Sequence, residues 1–233
     1  MNQAARARRL ATAAPLLFVV LWSTGFIGAK LGLPDCEPLT LLSLRYAAVL
    51  VLMGAIALAT RAPWPPAGRA WVHLGVSGLL IHAVYLGGVF TAIGHGLPAG
   101  VTALVVGLQP VLTALGAGAW LGERVRPTQW LGLALGFAGV ALVVAHKVAA
   151  SVGSAALAQM LAPAVVALLG ITAGTLYQKR FCPAFDLRTG SVIQFLPCLV
   201  LTFLVARQTE TMQVHWTGAF VFALGWLVLV LSL

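Results

Sequence analysis

The chain has 233 residues, of which 61% are hydrophobic and only 8% charged, with a formal net charge of +9. Soluble domains carry about 25% charged residues, so no water-facing fold absorbs this much apolar surface, and lipid is the solvent for most of the chain. The basic residues lie singly between apolar runs and form no basic helix with interleaved aromatics, which excludes nucleic acid as a partner. Basic loops against an anionic membrane surface account for the charge instead.

A membrane span needs about 20 mostly apolar residues, and eight such runs follow one another. The first, 12–32, sits behind the basic start MNQAARARR. Its apolar run is too long for a signal peptide, so an uncleaved span is expected. The others are 39–60, 71–93, 98–121, 128–146, 157–178, 188–206 and 215–233, separated by Pro-, Gly- and charge-bearing breaks such as LPDCEP, RAPWPPAGR and KRFCPAFD. Trp71, Trp120, Trp130 and Trp216 fall at span ends, at the level amphipathic rings prefer. With the N-terminus in the cytoplasm, ten of the fourteen Lys and Arg residues fall on the inner side, and only Lys30, Lys147 and Arg207 fall outside. That bias follows the positive-inside rule and predicts a multi-pass protein of a bacterial-type inner membrane.

The remaining cation is Arg45, inside LLSLRYAAVLVLMG. It lies about six residues into span 2, ~9 Å below the outer end at ~1.5 Å per residue. One reading is an arginine that snorkels to the surface or pins its helix to a neighbour; the other is a contact for a carboxylate or other anion at the outer mouth. On span 3, Gly78, His82 and Tyr85 share one helical face. An imidazole there needs a polar partner, either within a packed bundle or in a cavity where it could respond to protons. On span 4, Thr102, Gln109 and Thr113 recur at i, i+7 and i+11, beside Pro110. That proline leaves the carbonyl of Val106 without its helical donor, which makes either a mid-membrane site or a kinked packing helix. Ser23 and Thr24 on span 1, and Thr172 on span 6, can bond their own helices or face a solute. Trp22 and Trp226 offer aromatic walls. The pairs Gly28–Gly32 and Gly132–Gly136 mark close helix approach, with a homodimer as their secondary use.

Shifted by 149 positions, WSTGFIGAKLGLP (22–34) falls on ITAGTLYQKRFCP (171–183). Lys30 then meets Lys179, Pro34 meets Pro183, Thr40 meets Thr189, and Arg45 meets Gln194. Spans 6 to 8 thus repeat spans 1 to 3. One repeat holds an odd number of spans, five, so the second copy enters the bilayer inverted. The expected architecture is an all-α integral membrane protein built as an inverted repeat of five-helix units, with repeats at 1–147 and 157–233. Nothing corresponds to spans 4 and 5 of the second copy, and the chain stops at LVLVLSL, so that copy is expected to be cut short.

The stretch TALVVGLQPVLTAL, followed by LGER and QWLGLALGFAGV, resembles the end of the first repeat in EamA-type carriers of the drug/metabolite transporter superfamily. So does LWSTGFIGAKLGL with LLSLRYAAVLVL near the start. The resemblance implies ten spans in two repeats and transport of small metabolites or amino acids, often outward. Polar faces of spans 1, 3, 4 and 6 are then expected to line a central cavity, with span 8 closing one side. Candidate solute-binding residues are Trp22, Ser23, Thr24, Arg45, His82, Tyr85, Gln109, Thr113, Thr172, Gln194 and Trp226. The partners are a small solute and membrane lipid.

The five carboxylates, Asp35, Glu37, Glu123, Asp186 and Glu210, all fall in loops or span ends. A carrier driven through a membrane-embedded glutamate is therefore disfavoured, and proton coupling would fall to His82. No HExxH, GxSxG, Walker loop or CxxC is present. Cys36, Cys182 and Cys198 fit no metal spacing, so neither enzyme nor cofactor is expected. A second reading is a truncated, non-transporting protein or a helical partner of a complete carrier.

Overall fold

A computed structural model describes residues 3–121, 126–146, 153–182 and 184–232. Glu123, one of the five carboxylates, and the outer Lys147 lie outside these residues. The described chain is helical: α1 (Gln3–Gly32), α2 (Pro38–Ala59), α3 (Arg69–Gly78), a π-helical turn (Leu79–Val84), α4 (Tyr85–Gly94), α5 (Ala99–Val106), α6 (Gln109–Leu121), α7 (Pro127–Val144), α8 (Ser154–Phe181), α9 (Leu187–Thr209) and α10 (Gly218–Leu229). Among the described residues, six helical stretches are long and apolar enough to cross a membrane, and Val19–Gly32 and Gly218–Leu229 are shorter apolar helices. The eighth expected span, 215–233, contains a helix of 12 residues. At ~1.5 Å per residue this covers ~18 Å, against a hydrocarbon core of ~30 Å.

Side chains facing outward are apolar, among them Val51, Leu58, Leu142 and Leu187. This is the arrangement lipid demands, because backbone polar groups are satisfied inside each helix. The core is held by α2 packing along α9, α4 along α8 and α1 along α10. Helix α7 is peripheral, with Leu133 as its buried side chain among the described residues. Span 4 is interrupted: a turn at Gly107–Leu108 separates α5 from α6. The cause is Pro110, which cannot donate to the carbonyl of Val106 and crowds the preceding turn. Thr102 therefore does not share a continuous face with Gln109 and Thr113; it is buried and its hydroxyl bonds the carbonyl of Pro98 at 3.2 Å.

Helices α2 and α9 are antiparallel, and polar groups tie both ends. At one end the Glu210 carboxylate accepts from the N–H groups of Leu39 and Thr40, both at 2.8 Å, and from the Thr40 hydroxyl at 2.7 Å. An anion at a helix N-terminus satisfies donors that have no intrahelical partner. Next to it, Glu37 accepts from the N–H and hydroxyl of Thr211, both at 2.7 Å, and from Met212 N–H at 3.2 Å. These bonds hold the Glu37 carboxyl below its ordinary value, the Thr211 hydroxyl contributing most. At the opposite end, Arg188 donates to the Thr60 hydroxyl at 2.8 Å and Thr189 to the carbonyl of Pro63 at 2.9 Å.

Between the ends, glycine permits close contact. A Cβ on Gly78 would lie 2.6 Å from the carbonyl oxygen of Gln194, and one on Gly174 would lie 2.6 Å from Ile81. Without large hydrophobic gain between helices in lipid, such backbone approach supplies much of the packing. Gly28 and Gly32 face Leu227 and Leu41 of the same chain, so this GxxxG pair is used internally.

Gly78→Val is expected to destabilise the bundle by about 1–3 kcal/mol through overpacking, whereas Gly54→Ala, which meets nothing within 4 Å, is expected to be neutral; thermal unfolding in detergent compares them. At the α9 N-terminus, the side-chain bond from Arg188 is the main cause that holds the Asp186 carboxyl down at about 2, from an ordinary 3.8. Its stabilising contribution is therefore complete above pH 3.8 and is lost as pH falls through about 2. Arg188→Ala should return the Asp186 titration toward the ordinary value, read by carboxyl-carbon NMR.

Candidate functional site

A cavity of about 370 Å³ opens at the middle of the bundle, walled by α1, α2, the π turn, α4, α8, α9 and the residues after α10. Of the residues expected at the site, Trp22, Arg45, His82, Tyr85 and Gln194 line it. Spans 2 and 7 thus contribute directly, and span 4 does not.

Arg45 projects from α2 a little over two turns from its start and is 6% exposed. It faces protein, not lipid. Its Nε and Nη2 donate to the Ser232 hydroxyl at 3.2 and 3.0 Å. That hydroxyl in turn donates to the carbonyl of Leu227 at 3.0 Å. Among the described residues no carboxylate pairs with Arg45. A buried cation without a counter-ion is costly, and the cavity is where a counter-ion would fit.

His82 lies in the π turn. Its ring stacks on Phe195 with centroids 4.2 Å apart and planes 23° apart. Its carbonyl accepts from the Tyr46 hydroxyl at 2.8 Å. A π turn adds a residue to the helical register and frequently accompanies a functional position; here Ile81, His82 and Tyr85 all reach the cavity. On the facing wall, the Gln194 amide donates to Ser77 at 3.0 Å and to Gln178 at 3.4 Å. Its orientation is therefore set by α3 and α8 together. Aromatic rings complete the walls: Phe26, edge-on to Trp22 at 5.3 Å, with Phe90 and Phe195.

Six expected residues lie elsewhere. The Trp226 indole donates to the Thr24 hydroxyl at 2.9 Å, and the two line a smaller apolar cavity of about 190 Å³ between α1 and α10. Ser23 is exposed and bonds the carbonyl of Val19 at 2.7 Å, within its own helix. Thr172 does the same with Leu168 at 2.7 Å. Gln109 reaches Thr113 and Thr175, each at 3.4 Å, which ties α6 to α8.

The sequence reading missed Phe26, Phe90, Phe195, Ser191 and Ser232. The phenylalanines sit in runs of equal hydropathy, where pattern does not tell an inward ring from a lipid-facing one. Ser191 was legible: it precedes Gln194 by three residues and so shares its helical face. Ser232 becomes visible only once α10 lies against α1 and α2.

The EamA-like transporter family matches residues 10–145, more than half of the chain. Over 129 residues the chain is 36% identical to the "Probable amino-acid metabolite efflux pump" of Escherichia coli (strain K12), covering 55% of this chain and 41% of that protein. Over 221 residues it is 29% identical to the "Uncharacterized transporter YvbV" of Bacillus subtilis (strain 168), covering 90% of this chain and 70% of that one. A solved crystal structure superposes with a TM-score of 0.65 over 91% of this chain and 71% of its own, at 24% identity, which speaks to the fold alone. The chain spans less than half the length of the Escherichia coli relative. It is a multi-pass membrane protein, and it belongs to the EamA-like transporter family.

Proposed function

We propose that this chain carries small metabolites or amino-acid-like solutes across the bacterial inner membrane as a secondary transporter, exporting them by alternating access. The observation that carries the reading is the central cavity, which the buried Arg45, without a carboxylate partner among the described residues, lines together with Gln194 and several aromatic rings. The name of the Escherichia coli relative supports a metabolite solute. Trp22, Arg45, His82, Tyr85 and Gln194 hold the solute, and Ser191 and Ser232 extend the polar lining.

The carrier is an inverted repeat of helical units within 1–147 and 157–233, with eight membrane helices and a cytoplasmic N-terminus. Helix packing supports this. Under the repeat, α1 corresponds to α8 and α10 to α3–α4, so the α1–α10 and α4–α8 contacts exchange, while the antiparallel α2–α9 pair maps onto itself. Thr40 and Thr189, which the repeat equates, each bond the end of the opposite helix. Rocking α1–α10 against α4–α8 about the α2–α9 pair would expose the cavity to each side in turn.

In sealed vesicles the chain should move labelled amino-acid-like solutes faster than empty vesicles do, and flux equal to the empty control would refute carriage. Arg45→Ala should lower apparent affinity by roughly tenfold or more while leaving the thermal midpoint within a few degrees. Loss of folded protein with unchanged affinity would remove Arg45 from the site. Single cysteines placed at Lys30 and Lys179 should react with an impermeant thiol reagent from opposite faces of the membrane, and labelling from one face would rule out the inverted repeat.

A further inference from the structure

Each group that meets the cavity carries information about the charge of its ligand. Arg45 is the one permanently ionised side chain among the described lining residues, and none of these is a carboxylate. Its guanidinium is only partly engaged. Ser232 occupies the Nε and Nη2 side, and no bond involves Nη1 among the described residues. The edge formed by Nη1 and Nη2 can still take a carboxylate with two parallel bonds. The rest of the wall is uncharged: Trp22, Phe26, Phe90 and Phe195 give apolar aromatic surface, with the His82 ring against Phe195, and Tyr85, Ser191, Gln194 and Ser232 are its neutral polar groups. An ammonium group entering here would find a neighbouring cation and neutral acceptors only. In a medium of low polarity, repulsion from Arg45 adds to the cost of leaving water. A volume of about 370 Å³ lies near the small end of ligand cavities, which span about 300–1,000 Å³.

We propose that the central cavity selects compact organic monocarboxylates with an apolar or aromatic body, held through Arg45, over the zwitterionic amino acid or the cationic amine of the same skeleton. This rests on the carrier reading for its biological use, and it sharpens that reading from amino-acid-like solutes to their deaminated, singly anionic counterparts. Tyr85 and Gln194 supply neutral polar contacts. The stacked His82 and Phe195 rings form a flat surface for the apolar body.

The test is equilibrium binding by calorimetry to the purified full chain in detergent. The ligands are 3-phenylpropanoate, phenylalanine and 3-phenylpropylamine, matched in skeleton and differing in charge. The acid should bind roughly tenfold or more tightly than the zwitterion, and the amine more weakly still. Arg45→Gln should abolish the preference, and Arg45→Lys should keep part of it. Equal affinities, or a preference for the zwitterion or amine, would overturn the proposal. Should Arg45→Gln fail to fold, the charge series on the unaltered chain decides alone. Laurate tests a carboxylate drawn from the bilayer; tighter binding of laurate than of 3-phenylpropanoate would overturn the assignment to a compact solute. Vesicle flux separates the two readings. Flux without acid preference leaves the carrier standing and removes this inference; acid-selective binding without flux does the reverse.

Discussion

A guanidinium on a membrane-crossing helix either snorkels to the surface or faces protein, because hydrocarbon offers it neither water nor a counter-ion, and Arg45 is buried in protein. Arg45 imposes that condition on everything around it. Helix α2 must turn this side inward, which places Tyr46 in the core and points Val51 and Leu58 outward. The segment after α10 must return far enough for Ser232 to meet the guanidinium. The neighbouring helices must leave a space there, since five donors on one planar group cannot be met by close-packed aliphatic side chains. The cavity and the buried charge are one feature seen from two sides.

The π turn serves the same end. A regular helix over Leu79–Val84 would carry the face of α3, which Gly78 presses against α9, straight into α4. One extra residue in the register changes the direction in which the following side chains point. His82 and Tyr85 then look into the cavity while Gly174 keeps α8 close to the turn. Tyr46, next to Arg45 in sequence, bonds the carbonyl of His82. Two adjacent residues of α2 therefore define the site, one by supplying its charge and the other by bracing the irregular wall opposite.

Much of this was legible in the sequence, and the exceptions have physical causes. Long apolar runs bounded by Pro, Gly and charge set the helices, because span length and backbone satisfaction leave few alternatives. The polar residues of α2, the π turn and α9 that line the cavity stood out against apolar neighbours. Thr24, Trp226, Thr172, Ser23, Gln109 and Thr113 stood out equally, yet they bond one another, neighbouring helices or their own carbonyls. A hydroxyl or indole inside a membrane announces a need for a partner but does not say whether the partner is a helix or a solute. The break of span 4 was foreshadowed by Pro110, whereas its consequence, separating Thr102 from Gln109, required the backbone. The short α10 could not be read from hydropathy, which does not distinguish a helix from an apolar segment that ends in a turn.

The proposed repeat relates Arg45 to Gln194, and here the two halves of the cavity part company chemically. Each residue lies seven positions past the start of its helix, the two helices run in opposite directions, and both side chains line the same cavity. One is a permanent cation held by a single hydroxyl; the other is neutral, with its amide committed to Ser77 and Gln178. A scaffold with two-fold character in its backbone would, with identical side chains, bind a solute in two equivalent directions. On the proposed reading, having arginine on one helix and glutamine on the other would remove that degeneracy: the charged end of a solute would have one place to go, and its apolar body would be left to the rings. The same replacement keeps a second cation out of the cavity, where like charges at short range in a poorly polarisable medium would cost several kcal/mol. Under the proposed repeat and carrier mechanism, asymmetric chemistry on a near-symmetric frame would reconcile the motion of alternating access with a single binding orientation for the solute.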